Sequence, residues 1–171
     1  MLRLAKVFLD IALWRKSPAQ LPASAFLLTV VAVAVALLEL LGAVLPPNPS
    51  DRIFTRVALS VGLPLLFAWL VLGIAGRTHR FLQTGSALLG VAVLAQLLLY
   101  PLGSLLNAVG TDRAAAIPLG LLLFLGLIGY LLACTNIWRS ALDSGVWFGA
   151  LVSVGYLLLA MAFEQLLLPE T

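Results

Sequence analysis

Five long apolar runs, separated by short polar turns, leave this chain few ways to fold. They cover Leu21–Leu45, Ile53–Ile74, Phe81–Leu106, Ala115–Ile137 and Gly145–Leu168. About 20 apolar residues in a helix cross the ~30 Å hydrocarbon core of a bilayer, and each run reaches that length. Composition argues against a soluble domain. Of 171 residues, 63% are apolar and 10% charged, with a mean hydropathy of +1.13; soluble domains are about half apolar and a quarter charged. A chain this short has too little interior to hide that surface from water. In hydrocarbon, backbone N–H and C=O groups must bond within their own segment, which favours helices. The expected fold is an all-α integral membrane protein. Residues 21–171 form one bundle of five transmembrane helices, and residues 1–20 form an amphipathic interfacial helix before it.

The turns are Pro46-Pro47-Asn48-Pro49-Ser50-Asp51, Gly76-Arg77-Thr78-His79-Arg80, Asn107 to Arg113, and Trp138 to Ser144. All are short, so consecutive helices are antiparallel neighbours. Pro64 and Pro101 sit inside spans and kink them, while Pro118 lies near a helix start, where it costs little. Positive charge sets the orientation. With the N-terminus in the cytoplasm, the inner side holds Arg3, Lys6, Arg15, Lys16, Arg77, Arg80 and Arg139, and the outer side Arg52, Arg56 and Arg113. Seven against three places the N-terminus inside and the C-terminus outside a bacterial inner membrane. Trp14, Trp138 and Trp147 fall at the same inner boundary, where amphipathic rings are favoured.

In residues 1–20, Arg3, Lys6, Asp10 and Ser17 share one helical face, opposite Leu2, Phe8, Leu9, Ala12 and Leu13. That pattern describes a helix lying flat in the interface, with Arg3, Lys6, Arg15 and Lys16 on the membrane surface facing anionic headgroups. A signal peptide is the competing reading, but Asp10 interrupts its apolar core and the following run is too long for a cleaved one. Pro18 and Pro22 mark a bend into the first span.

An ionisable residue inside a membrane marks a functional site by default, since burying one is costly unless it is paired. Glu39, Arg56 and Glu164 are the candidates, and all lie toward the outer third. Glu39 and Arg56 occupy the two arms of the first hairpin at similar depth, within reach of an ion pair. Gln96, Tyr100 and Asn107 of the third span point to the same level. Glu39, Arg56, Gln96 and Glu164 thus read either as an outward-opening polar pocket for a lipid headgroup, an ion or a proton, or as a structural Glu–Arg pair with Glu164 near water.

Small residues recur at steps of four. Gly145, Gly149 and Ser153 do so in the last helix, Gly129 and Ala133 in the fourth, Ala32 and Ala36 in the first, and Ser86 and Gly90 in the third. Such stripes let helix backbones approach closely, in internal packing or against a partner. Catalytic signatures are missing. His79 is the only histidine and lies in a basic turn, which leaves no metal site and no histidine relay. The single cysteine, Cys134, sits in an apolar run as a small buried side chain. No cofactor motif is present, no basic cluster tracks phosphates, so no nucleic-acid partner is expected, and five spans do not divide into inverted halves.

Three segments resemble the Yip1-like family, in its short bacterial five-span members: Arg15-Lys16-Ser17-Pro18-Ala19-Gln20-Leu21-Pro22-Ala23-Ser24, Phe67-Ala68-Trp69-Leu70 followed by Gly73, and Trp138-Arg139-Ser140-Ala141-Leu142. The likeness spans nearly the whole chain but is diffuse. The eukaryotic branch has a long cytosolic N-terminal region with a polar motif that is missing here, which puts its role in vesicle traffic in doubt. The resemblance implies a non-enzymatic protein that works by association, with no catalytic residues. The leading expectation is a scaffold or accessory subunit in contact with the lipid bilayer and with other membrane proteins or itself. The alternative is a lipid-handling or small-solute or ion permeation protein using the polar pocket.

Overall fold

The computed structural model describes residues 2–44, 52–110 and 113–167. The expected turn at 46–51, the span ends Leu45 and Leu168, residues 111–112 of the third turn, and the side chains of Leu2 and Arg3 lie outside what is described. Six α-helices form: α1 (Leu2–Ala12), α2 (Ala25–Val44), α3 (Ile53–Ile74), α4 (Phe81–Val109), α5 (Arg113–Ala141) and α6 (Val146–Leu167), with no strand among the described residues. Helices α2 to α6 are each long and apolar enough to cross a membrane. The chain is a multi-pass membrane protein. At 29 residues each, α4 and α5 run about 43 Å at 1.5 Å per residue, so they tilt or project beyond the hydrocarbon. Pro118 lies inside α5 rather than at its start, because that helix already begins at Arg113.

Helix α4 is the hub, packed against α1, α2, α3 and α5, while α6 closes the bundle between α3 and α5. Burial is strongly uneven along the helices. The core consists of Val31 and Val35 of α2, Ala68 and Leu72 of α3, Thr84–Val91 of α4, Ala133–Trp138 of α5, and Gly149, Val152 and Ser153 of α6. All of these lie toward the end that carries α1. Beyond Val91 in α4, before Ala133 in α5 and after Ser153 in α6, no described residue is buried. One half of the bundle is therefore packed and the other half is loose.

Small side chains make the packed half possible. A Cβ on Gly149 would lie 2.7 Å from the Thr135 carbonyl oxygen and 3.0 Å from the Arg139 nitrogen, so α5 and α6 meet backbone to backbone there. The Ser153 hydroxyl donates to the Gly149 carbonyl at 2.9 Å and faces inward. Trp138 is not a boundary residue: it is fully buried, edge-on to Phe67 with ring centroids 5.6 Å apart. Trp147, at 90% exposed, faces outward. Cys134 is buried and unpaired as a disulfide.

Helix α1 departs from the expected surface helix. It docks into the cleft between α4 and α5. The Phe8 ring occupies the space where Gly90 lacks a side chain, and Ile11 is completely buried. The Asn136 amide donates to the Ile11 carbonyl at 2.9 Å and to that of Lys16 at 3.4 Å, adding to the Trp14 backbone N–H that Ile11 already accepts at 3.1 Å and tying the end of α1 to α5. The Trp14 indole donates to the Leu132 carbonyl at 3.0 Å, and Arg139 lies over its ring, 5.2 Å from the centroid. Of the basic residues assigned to the membrane surface, Lys6 and Arg15 are exposed, while Lys16 pairs with Asp10 at 3.2 Å.

A second tie joins two turns at this end. Asp143, in the α5–α6 turn, receives Arg77 and Arg80 from the α3–α4 turn, Arg80 at 2.9 Å. Arg80 also donates to the Ser140 and Ala141 carbonyls at 3.0 and 3.2 Å, capping α5 with the cation that a helix C-terminus favours.

Candidate functional site

The loose half encloses a chamber of about 450 Å³ among α3, α4, α5 and α6, with Glu39 of α2 at its side. Glu39, Arg56, Gln96 and Glu164 all line it, drawn from four different helices. The geometry behind this is a step of four residues, which keeps side chains on one helical face. Ala92, Gln96 and Tyr100 stack on α4, Arg56 and Ser60 on α3, and Tyr156, Ala160 and Glu164 on α6. Tyr156 lies 11 residues before the end of α6, which puts the floor of the chamber about 16 Å inside that helix end. Tyr130 and Tyr156 form the floor, and Phe67 underlies it, 5.4 Å from Tyr156 between ring centroids.

The expected Glu39–Arg56 contact pair does not form. Glu39 instead bonds Gln96, whose amide nitrogen donates to Oε1 at 2.8 Å, and shares a side-chain hydrogen bond with Tyr100. Among the described residues no basic nitrogen comes within 4 Å of Glu39 or Glu164. Arg56 sits only three residues into α3, and its long side chain reaches the exposed rim, as arginines near a helix end do. Glu39, five residues from the end of α2, is left to the neutral Gln96 and Tyr100 side chains facing it from α4. Arg56, Glu164 and Tyr100 nevertheless all interact electrostatically with Glu39.

Hydrogen bonding at the site is lopsided. Gln96 gives its N–H to Glu39, which leaves Gln96 Oε1 buried without a donor. Turning the amide over would set that oxygen against the carboxylate, so the orientation is fixed by charge. Pro64 has no N–H to offer the Ser60 carbonyl four residues earlier, and Ser60 lines the chamber.

A second space of about 850 Å³ lies between α2 and α4 and is lined by Leu38, Leu41, Leu97, Pro101, Ser104 and Asn107 among others. It shares Glu39, Arg56, Gln96, Leu99 and Tyr100 with the chamber, so those side chains form the threshold between the two. Leu41 and Leu97 are each more than half exposed, and the groove opens sideways on the lipid-facing surface. Gly42 lets the Tyr100 ring lie against α2, since a Cβ there would be 3.1 Å from Tyr Cε2.

Of the small residues singled out in the sequence, Gly149, Ser153 and Ala133 are buried at the α5–α6 seam or beside it. Gly129 and Gly145 are exposed, and a Cβ on either would meet nothing within 4 Å, because each faces away from its neighbouring helix. Ser60, Tyr130 and Tyr156 were not anticipated as site residues. The four-residue spacing of Tyr156, Ala160 and Glu164 was a signal that could have found one of them. No three His, Cys, Asp or Glu side chains converge as a metal-binding group among the described residues. Comparison with protein-family models, with curated proteins and with solved structures finds no match to this chain.

Proposed function

We propose that this chain is a non-catalytic protein of a bacterial inner membrane, oriented N-terminus inside, that takes a small polar or amphipathic ligand into the chamber at its loose end. It is thus a lipid-handling or permeation protein. The observation that carries the reading is the convergence of Glu39, Arg56, Gln96 and Glu164, from four helices, on one open chamber. Charged side chains at membrane depth without a contact partner are costly, and a bundle kept for packing alone has no use for them. The charge asymmetry between the two ends supports the orientation. The test is reconstitution in liposomes, with lipid transfer and solute flux measured for the wild type and for Glu39→Gln. A change of tenfold or more in either rate is expected, with the variant folded normally. Wild-type protein inert in both assays would overturn the reading.

An accessory-subunit role, in keeping with the Yip1-like resemblance, draws on the exposed glycines Gly129 and Gly145, whose open faces could admit a partner helix. The Gly149–Ser153 face is already occupied by α5, which narrows that role to the outer faces of α5 and the start of α6. A native gel of Gly129→Leu against wild type distinguishes it: loss of a larger complex supports docking, and unchanged size removes it.

A further inference from the structure

We propose that the ligand is an amphiphile with a primary ammonium headgroup, its ammonium in the chamber and its hydrocarbon tail leaving through the α2–α4 groove. This deepens the reading of the chamber as a ligand site and rests on it.

The headgroup follows from what the site lacks. Glu39 and Glu164 carry two carboxylates to the chamber against one guanidinium, Arg56. Neither acid has a basic nitrogen within 4 Å among the described residues, and Gln96 Oε1 is buried with no donor. A primary ammonium brings one positive charge and three N–H donors, which suit two acidic side chains facing one guanidinium across the chamber. A bare metal ion or proton leaves most of about 450 Å³ unfilled. The leucine and alanine lining, with Leu59, Leu63 and Ala92 among it, suits the methylene groups next to an amine.

The tail follows from continuity. The chamber and the groove share Glu39, Gln96 and Tyr100. A molecule held by those groups therefore has an apolar path to the bilayer between Leu41 and Leu97, both open to lipid. Water-filled sites for free polar solutes have no need of such a lateral slot. An amphiphile in the adjoining leaflet reaches the chamber without its chain leaving hydrocarbon.

The test uses the full chain in lipid nanodiscs of equal phosphatidylethanolamine, phosphatidylcholine and phosphatidylglycerol, released into mild detergent and weighed intact by native mass spectrometry. Phosphatidylethanolamine is expected to be retained at least tenfold over phosphatidylcholine, whose quaternary nitrogen has equal charge and no N–H. Glu39→Gln, which keeps the Gln96 hydrogen bond, is expected to lower that retention tenfold. Leu97→Trp, a change at an exposed position that fills the groove, is expected to lower it too. Water-soluble ethanolamine added to the same samples separates the two sources of the amine. If it displaces the lipid, and binds Leu97→Trp as well as wild type, the amine comes from solution and the tail is refuted. Equal retention of the ethanolamine and choline lipids overturns the ammonium assignment. Glu39-dependent retention of phosphatidylglycerol also overturns it but leaves the chamber standing as a ligand site. No Glu39-dependent retention of any lipid or amine removes both.

Discussion

The contact between Phe8 and Gly90 yields the sharpest test of how α1 is held. A Cβ added at Gly90 would lie 2.3, 2.4 and 2.7 Å from three carbons of the Phe8 ring, well inside van der Waals contact. The ring has little room to give, because α1 is fixed just beyond it by completely buried Ile11 and by the Asn136 and Trp14 hydrogen bonds. Overpacking of this kind costs about 1–3 kcal/mol. Against it stands the gain of alanine over glycine within a helix, roughly 0.5–1 kcal/mol. The clash wins in the wild-type background. When Phe8 is also alanine, the clash vanishes and only the helix gain remains, so the effect of Gly90→Ala changes sign. The assay is hydrogen exchange of the α1 amides read by mass spectrometry, for the wild type, Gly90→Ala, Phe8→Ala and the double variant. At about 1.4 kcal/mol per factor of ten, the net cost of at most about 2.5 kcal/mol lowers protection of α1 by up to roughly 60-fold in Gly90→Ala. The double variant should match Phe8→Ala or exceed it slightly. A Gly90→Ala effect of the same sign and size in both backgrounds would refute the argument, since independent sites add.

Three further outcomes follow from the same packing. Gly149→Ala sets a Cβ against backbone atoms of Thr135 and Arg139 that cannot rotate aside; thermal unfolding in detergent should show a loss of about 1–3 kcal/mol, whereas Gly129→Ala should be neutral or stabilising. Asn136→Leu removes one of the two donors to the Ile11 carbonyl, the Trp14 backbone N–H remaining, together with the donor to Lys16, a net loss of about 0.5–1.5 kcal/mol per hydrogen bond, and exchange should rise in α1 before any other helix. The Asp143 carboxyl is held below its ordinary range, first by its hydrogen bond from Arg80 and also by the charge of Arg77. A depressed carboxylate stabilises above its unfolded pKa, about 3.9, and that contribution is lost as pH falls through the folded value. Melting temperatures at pH 7 and pH 3 should therefore drop further for wild type than for Asp143→Asn; parallel drops would refute the clamp.

How much of this was legible in the sequence depends on which solvent a residue meets. The long apolar helices were legible because bilayer thickness imposes a length and the turns between them are polar. Glu39, Arg56, Gln96 and Glu164 stood out because a charge or amide at that depth breaks an otherwise apolar run. What the sequence concealed were choices between apolar neighbours. In water, the polar face of α1 points outward and its apolar face inward. At a membrane surface the apolar face has two destinations, lipid or protein, and periodicity does not separate them. Gly90 settles the choice by leaving a socket for Phe8, and Asn136 by carrying its donor to the α1 carbonyls. Trp138 is a similar case, since an indole near a span end suits both the interface and the core. Gln96 displaced Arg56 as the partner of Glu39 for a different reason. Depth along a helix was readable, but the rotation that turns Gln96 toward α2 is set by packing at Thr84–Val91.

The division of the bundle into two halves explains why the polar group lies where it does. Helices associate in lipid by close packing rather than by escape from water. Gly85, Ser86, Ala87 and Gly90 supply the small surfaces on α4, and Ala133, Gly149 and Ser153 do so across the α5–α6 seam. Helix α1 and the Arg77–Asp143–Arg80 clamp add to that half alone. Toward the other end the facing side chains become leucine, tyrosine and glutamate, which hold the helices apart, and Pro64 sits where the change occurs. Because the packed half fixes the helices, the open half keeps its shape with few close contacts of its own, the Leu99 side chain against Gly126 and the Tyr100 ring against Gly42 among them. Substitutions in the chamber should consequently leave the fold intact and alter what it holds, whereas substitutions at Gly90 or Gly149 should do the reverse.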